Sequence, residues 1–286
     1  MLDELIRKTI REMVGGSGPP VAFLVPKGDR GLFGPESVAW KVHADFISMM
    51  IGGISSLILQ ALHPQALAGV WDHSSFREDL KGRLGRTAFF IAATTYGPTD
   101  MANNIIQKVN QIHTKITGLD EFGKPYSATD PHLLAWVHLT ETRSFMSSFE
   151  VYRKEKLSPK EKDQYFLEMK SLGERMGATD IPSTYVETEN AIKAYIPELY
   201  FGDRAKSIID LLDHFPSDLR AKPFIKLISR AGFLNLPDWV YPIIKKPMPT
   251  YLERLAVQKS IELIAYPVRE VLKDGVAAHS LRRVYG

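Results

Sequence analysis

The apolar residues of this chain recur at intervals of three and four almost from end to end, and strand-like alternation is scarce. Residues three and four apart share one face of a helix, so this period argues for helices and against a sheet-based architecture. It predicts helices over about 45–69, 83–96, 98–117, 130–156, 158–177, 183–196, 203–213, 216–230 and 248–273. A further helix begins in Glu36–His43, and Met1–Val14 reads as an amphipathic helix. The breaks have chemical causes. Gly97-Pro98 closes one helix and opens the next, because proline is tolerated in a first turn. Ser158-Pro159-Lys160-Glu161 combines a cap, a proline at the first helical position and a carboxylate three residues after the cap. Prolines 237, 242, 247 and 249 make 232–250 a connector. No internal repeat or sharp composition shift marks a boundary. The expectation is a single multi-helix, all-α domain over residues 1–286.

Composition narrows the function classes. The formal net charge of +3 is spread along the chain and gives no basis for nucleic-acid binding. The absence of cysteine removes disulfides, thiolate metal sites and a catalytic thiol. There is no His-Glu-x-x-His, no Glu-x-x-His, no Gly-x-Ser-x-Gly and no phosphate-cradling glycine loop. Phe46–Leu62, about 17 residues, is apolar but broken by glycine, serine and glutamine, and reads as a buried core helix. Met1–Val14 lacks a long apolar core. Cytoplasmic residence is therefore expected, with room for peripheral membrane contact by that amphipathic segment.

The histidines are the main chemical candidates. On the 98–117 helix, Ile106, Val109, His113 and Ile116 fall on one side with Ala102 below, and Lys108, Gln111 and Lys115 lie opposite. His113 is then a core or boundary histidine, or a metal ligand of the kind that holds haem iron; spacing alone leaves both open. Upstream, Arg83, Arg86 and Thr87 stand at i, i+3 and i+4. They form either an exposed basic face or a set able to hold carboxylates and polarise a bound oxygen. His63, before Pro64, can cap a helix end or face a pocket. His43 ranks with it, and His73 sits in a polar turn; His138, with Glu141, Thr142 and Phe145 one turn on, fits core packing better than a pocket role.

Several pieces occur in a particular order: Trp40-Lys41-Val42-His43, Leu59 through Pro64, Arg83 through Thr87, Val109 through Gly118, Gly123 through Trp136, and Leu172-Gly173 followed by Ile181-Pro182. Across about 37–185 this order resembles the latex-clearing-protein and MpaB-type oxygenases. The resemblance implies a globin-like haem-pocket core and haem b as cofactor. The family's His-x-x-Val-x-Gly piece, here His113 to Gly118 with Ile116 for valine, supplies the proximal iron ligand, so His113 takes that role. The family's Arg-x-x-(Lys/Arg)-Thr piece, here Arg83, Arg86 and Thr87, lines the pocket. Arg86 replaces the lysine of the latex enzymes, and a rigid fork differs from a flexible amine. Arg83 and His63 are then expected in cofactor binding, and Arg86 and Thr87 at the reacting oxygen. The implied activity is a haem-dependent oxygenase using dioxygen and a hydrophobic substrate of isoprenoid, alkene or lipid type, with an unidentified electron donor. The alternative is a non-catalytic helical protein that binds haem or a lipid. The export signal and long extra segments of the latex enzymes are not found here, which argues against rubber cleavage outside the cell. Residues 190–286 are expected to support the core.

Overall fold

The protein is described by a computed structural model over residues 21–213 and 222–286. A 3-10 turn, Val21–Leu24, leads to α1 (Val38–His43), α2 (Phe46–Gln60), α3 (Pro64–His73), α4 (Leu80–Tyr96) and α5 (Thr99–His113). A small antiparallel hairpin follows, β1 (Thr117–Leu119) against β2 (Pro125–Ser127). Then come α6 (Pro131–Tyr152), α7 (Pro159–Arg175), α8 (Tyr185–Ala194) and a 3-10 turn, Ile196–Glu198. The chain ends with α9 (Asp203–Asp213), α10 (Lys222–Leu234), α11 (Val240–Ile243), α12 (Tyr251–Val271) and α13 (Val276–Tyr285). The all-α class expected from the apolar period is what the chain adopts.

Local chemistry sets many of the ends. Ser158 and Glu161 form the reciprocal capping box at the start of α7, with Pro159 in the first turn. Asp45 caps α2 by accepting from the Ser48 amide, and its other lone pairs take Arg269 of α12, with Nε 2.6 Å from Oδ1. Two expected helices are shorter than predicted. The 45–69 helix is two helices bent by 107°, because the chain turns at Ala61–His63 and Pro64 opens α3. The 98–117 helix stops at His113, and Thr117 enters β1 instead. α13 was not anticipated. The Met1–Val14 helix and the start of the 216–230 helix lie outside the described residues. Among those residues no single helix is long and apolar enough to cross a membrane; α2 and α3 together reach that length but are sharply bent.

α2 is the central helix, laid along α6 on one side and α10 on another. Its Gly52 makes the α6 contact possible: a Cβ there would sit 2.8 Å from Phe145 Cδ1 and 2.9 Å from the Ser144 carbonyl oxygen. On α6, Trp136, Leu139, Thr140, Ser144, Phe145, Ser148 and Phe149 are all buried. The packing loosens toward α4 and α5. From Gly82 to Ala92 no residue of α4 is fully buried, although Leu84, Ala88, Phe90 and Ile91 are apolar. On α5 only Ala102 and Ile106 are.

Candidate active site

Three chemically unusual groups lie on α4, α5 and α6. His113 is the last residue of α5. Its ring is partly buried, and burial holds its pKa below the usual imidazole value, so it is neutral near pH 7. Its Nδ1 is sealed from solvent with no hydrogen-bond partner, and Nε2 makes no hydrogen bond among the described residues either. A buried polar atom is normally satisfied, so an unpartnered one needs an explanation. A neutral imidazole with a free ring nitrogen is a metal ligand in waiting.

Glu141 on α6 is the second anomaly. Its carboxyl lies deep in the protein, and desolvation pushes its pKa up to about 7. It nevertheless keeps some accessible surface, and it makes no hydrogen bond or ion pair among the described residues. One turn before it, His138 is likewise enclosed but not sealed. Desolvation lowers His138 to about 4, against a hydrogen bond to the Met169 backbone that acts the other way. Gly173 of α7 leaves room for that ring: a Cβ would stand 2.8 Å from His138 Cδ2. Behind Glu141, Tyr165 lies 3.0 Å from Nε2 of the buried His43, whose Nδ1 is 2.8 Å from Thr95 Oγ1. Burial drops His43 to about 3, so it stays a neutral relay of hydrogen bonds.

Arg83 is the third. Its guanidinium is largely desolvated, which together with the like charge of Arg86 lowers its pKa. It donates to Ser74 Oγ at 2.7 Å, and no carboxylate faces it among the described residues. A buried guanidinium without a counter-ion is an anion site. It stands at an apolar cavity of about 50 Å³ whose walls include Leu57, Leu67, Leu80, Val137 and Leu211, with Gln60 as the other polar group. Next to this stretch of α2, Gly53 presents an empty face: a Cβ there would meet nothing within 4 Å.

The other expected residues are placed differently. Arg86 reaches outward to Asp79 at 3.5 Å with its side chain 64% exposed. Thr87 is exposed, and its hydroxyl donates to the Arg83 carbonyl oxygen at 3.2 Å. His63 is buried in a separate cluster with His132, Trp136, Tyr195 and Glu198. His73 lies 3.1 Å from the Thr117 carbonyl oxygen. The structure thus leaves Arg83 as the enclosed cation of its trio, and brings forward Glu141, to which the sequence reading gives no role. Glu141 and Glu150, nine residues apart on the 22-residue helix, give no spacing signal. The one hint was an acidic residue amid buried-type neighbours.

No curated protein and no solved structure matches this chain. The family profile described as the ER-bound oxygenase mpaB/B′ and rubber oxygenase catalytic domain matches residues 40–265. That span runs well past residue 185, where the motif resemblance ends, and takes in α9 to α11 and most of α12. It includes the His113 helix, the Glu141 helix and the Arg83 helix, and the chain belongs to the mpaB/rubber-oxygenase catalytic-domain family.

Proposed function

We propose that the protein is a haem b-dependent oxygenase acting on a hydrophobic substrate of isoprenoid, alkene or lipid type, with His113 as the protein's iron ligand. The observation that carries this reading is the free, neutral imidazole of His113 at the edge of an incompletely packed layer. Haem needs an imidazole nitrogen, a cation for its carboxylates and an apolar slot. His113 would offer the first and the uncompensated Arg83 the second; the apolar cavity that Arg83 lines does not include His113. The cavity at Arg83 is small, so entry of a macrocycle requires α4 to move outward. α4 is weakly anchored over Gly82–Ala92, which lowers the cost of that movement.

Bound haem supplies the redox chemistry with dioxygen; the protein sets ligation, polarity and access. Arg83 binds and orients an anionic edge by charge-assisted hydrogen bonds. Glu141, poised near pH 7, can hold a proton at its carboxyl and release it without a large driving force. The Tyr165–His43–Thr95 chain fixes the wall behind it. Leu57, Leu67 and Val137 exclude water and receive an apolar chain. Arg86 and Thr87 stand on the exposed side of α4, outside the cavity that Arg83 lines. Cytoplasmic residence accompanies this reading.

The test is oxygen uptake by haemin-reconstituted protein given a long-chain alkene. Substrate-dependent uptake that falls about 100-fold in Glu141→Gln supports the oxygenase. Haem binding with no uptake for any alkene, isoprenoid or unsaturated lipid would assign the chain to haem carriage instead.

A further inference from the structure

His63, His132 and Glu198 come from three separate elements. His63 precedes α3, His132 opens α6, and Glu198 ends the 3-10 turn after α8. Both imidazoles aim Nε2 at one carboxylate. His132 Nε2 is 3.0 Å from each Glu198 oxygen, and His63 Nε2 is 3.3 Å from Oε2. No lysine or arginine shares that carboxylate among the described residues. His63 is 2% exposed, and its Nδ1 has no partner, so its ring is committed to this cluster alone. The rings are held in place. His132 stacks on Tyr195 at 4.4 Å between centroids, and His63 packs against Trp136 and Tyr195.

Two readings compete. In one, two histidines share a carboxylate as hydrogen-bond donors. In the other, the three converge on a cation. The spacing that serves the first also accommodates the second. Around a tetrahedral zinc ion with bonds of about 2.0–2.1 Å, neighbouring ligand atoms stand about 3.3 Å apart. The observed separations of 3.0 and 3.3 Å are already those of such an edge, and all three ligand atoms lie within 4.8 Å of one another. His132 and Glu198 are half-exposed, which gives an ion a path in from solvent.

We propose that His63, His132 and Glu198 form a binding site for a divalent late transition metal of the zinc class, distinct from His113. Imidazole with carboxylate suits that class, and three protein ligands leave one position for solvent. The ion would fasten the Ile196–Glu198 turn to the starts of α3 and α6. This site does not depend on the haem reading.

The experiment is zinc titration of the full chain by calorimetry, with cobalt(II) as a spectroscopic substitute. The expected result is one zinc per chain and a visible ligand-field band of tetrahedral type with cobalt. His132→Ala, on the half-exposed side of the cluster, should weaken zinc by about 100-fold or more. Glu198→Gln keeps a hydrogen-bond acceptor but removes the anionic ligand, so it should weaken zinc comparably while leaving the thermal midpoint of metal-free protein within a few degrees. His113→Ala should bind zinc as the parent does. The proposal is overturned if the parent binds zinc no more tightly than His132→Ala, if cobalt gives no tetrahedral band, or if His113→Ala abolishes binding.

Discussion

Two neighbouring glycines divide this molecule. Gly52 lies in the α2–α6 seam, where a single added carbon would collide with Phe145 and the Ser144 carbonyl. Gly53, the next residue, faces nothing within 4 Å. The seam is packed to the density expected of a protein interior, while the layer formed by α4 and α5 buries little of its apolar surface. In the seam Ser148 Oγ donates to the Ser48 carbonyl oxygen at 2.7 Å and Thr140 donates back to Trp136, while Ser55 Oγ, Ser144 Oγ and Trp136 Nε1 are buried without a partner. In the loose layer His113 Nδ1 has no partner, and Arg83, bonded to Ser74 Oγ, has no counter-ion among the described residues. Stability is concentrated in the first region and chemistry in the second. A chain selected for stability alone would fill the space beside Gly53 and neutralise Glu141 by substitution.

That contrast can be broken in three ways. The largest expected effect is at Glu141, a desolvated carboxyl on the seam helix. Its folded pKa of about 7 lies above the ordinary carboxyl value of 4.5. Its contribution to folding is therefore fully present below about pH 4.5 and is lost as pH rises through about 7, by roughly 3 kcal/mol. Glu141→Gln should flatten that slope and raise stability at pH 8, as read from denaturant melts at several pH values. An equal shift at pH 5 and pH 8 would place Glu141 in an ordinary solvated setting. Next is Gly52→Ala, which should cost about 2 kcal/mol by overpacking against backbone and an aromatic ring. The smallest is Gly53→Ala, which should stabilise by about 0.5–1 kcal/mol because alanine favours helix and has room. Equal effects at the two glycines would remove the distinction between seam and layer. Gly53→Leu sharpens it further: stability should hold while haemin uptake falls.

The fold was largely legible where local chemistry writes it. α9 runs over Asp203–Asp213 as its periodicity predicts, and the Ser158–Glu161 box opens α7. The bend at Ala61–His63 was hidden because apolar residues continue through it and the turn is set by packing. The β1–β2 hairpin has three-residue strands, too short for alternation to show, and it is shaped by Tyr126 lying over Gly118. Of the candidate site, His113 and Arg83 could be reached through motif order. The buried state of Arg83 and the exposure of Arg86 could not, because both depend on how far α4 leans from the core. Glu141 owes its raised pKa to desolvation by helices remote in sequence. The His63–His132–Glu198 cluster joins residues 66 and 135 positions apart, a distance no local pattern spans.

The central claim is that His113 ligates iron, and the most direct measurement is the visible spectrum during haemin titration of the parent and of His113→Ala, with folding checked by circular dichroism. The account predicts a saturable Soret band at one haem per chain in the parent. In folded His113→Ala it predicts a band that is lost or shifted, and restored by added imidazole. A parent-like Soret band in folded His113→Ala, or a parent that takes up no haemin, would contradict it.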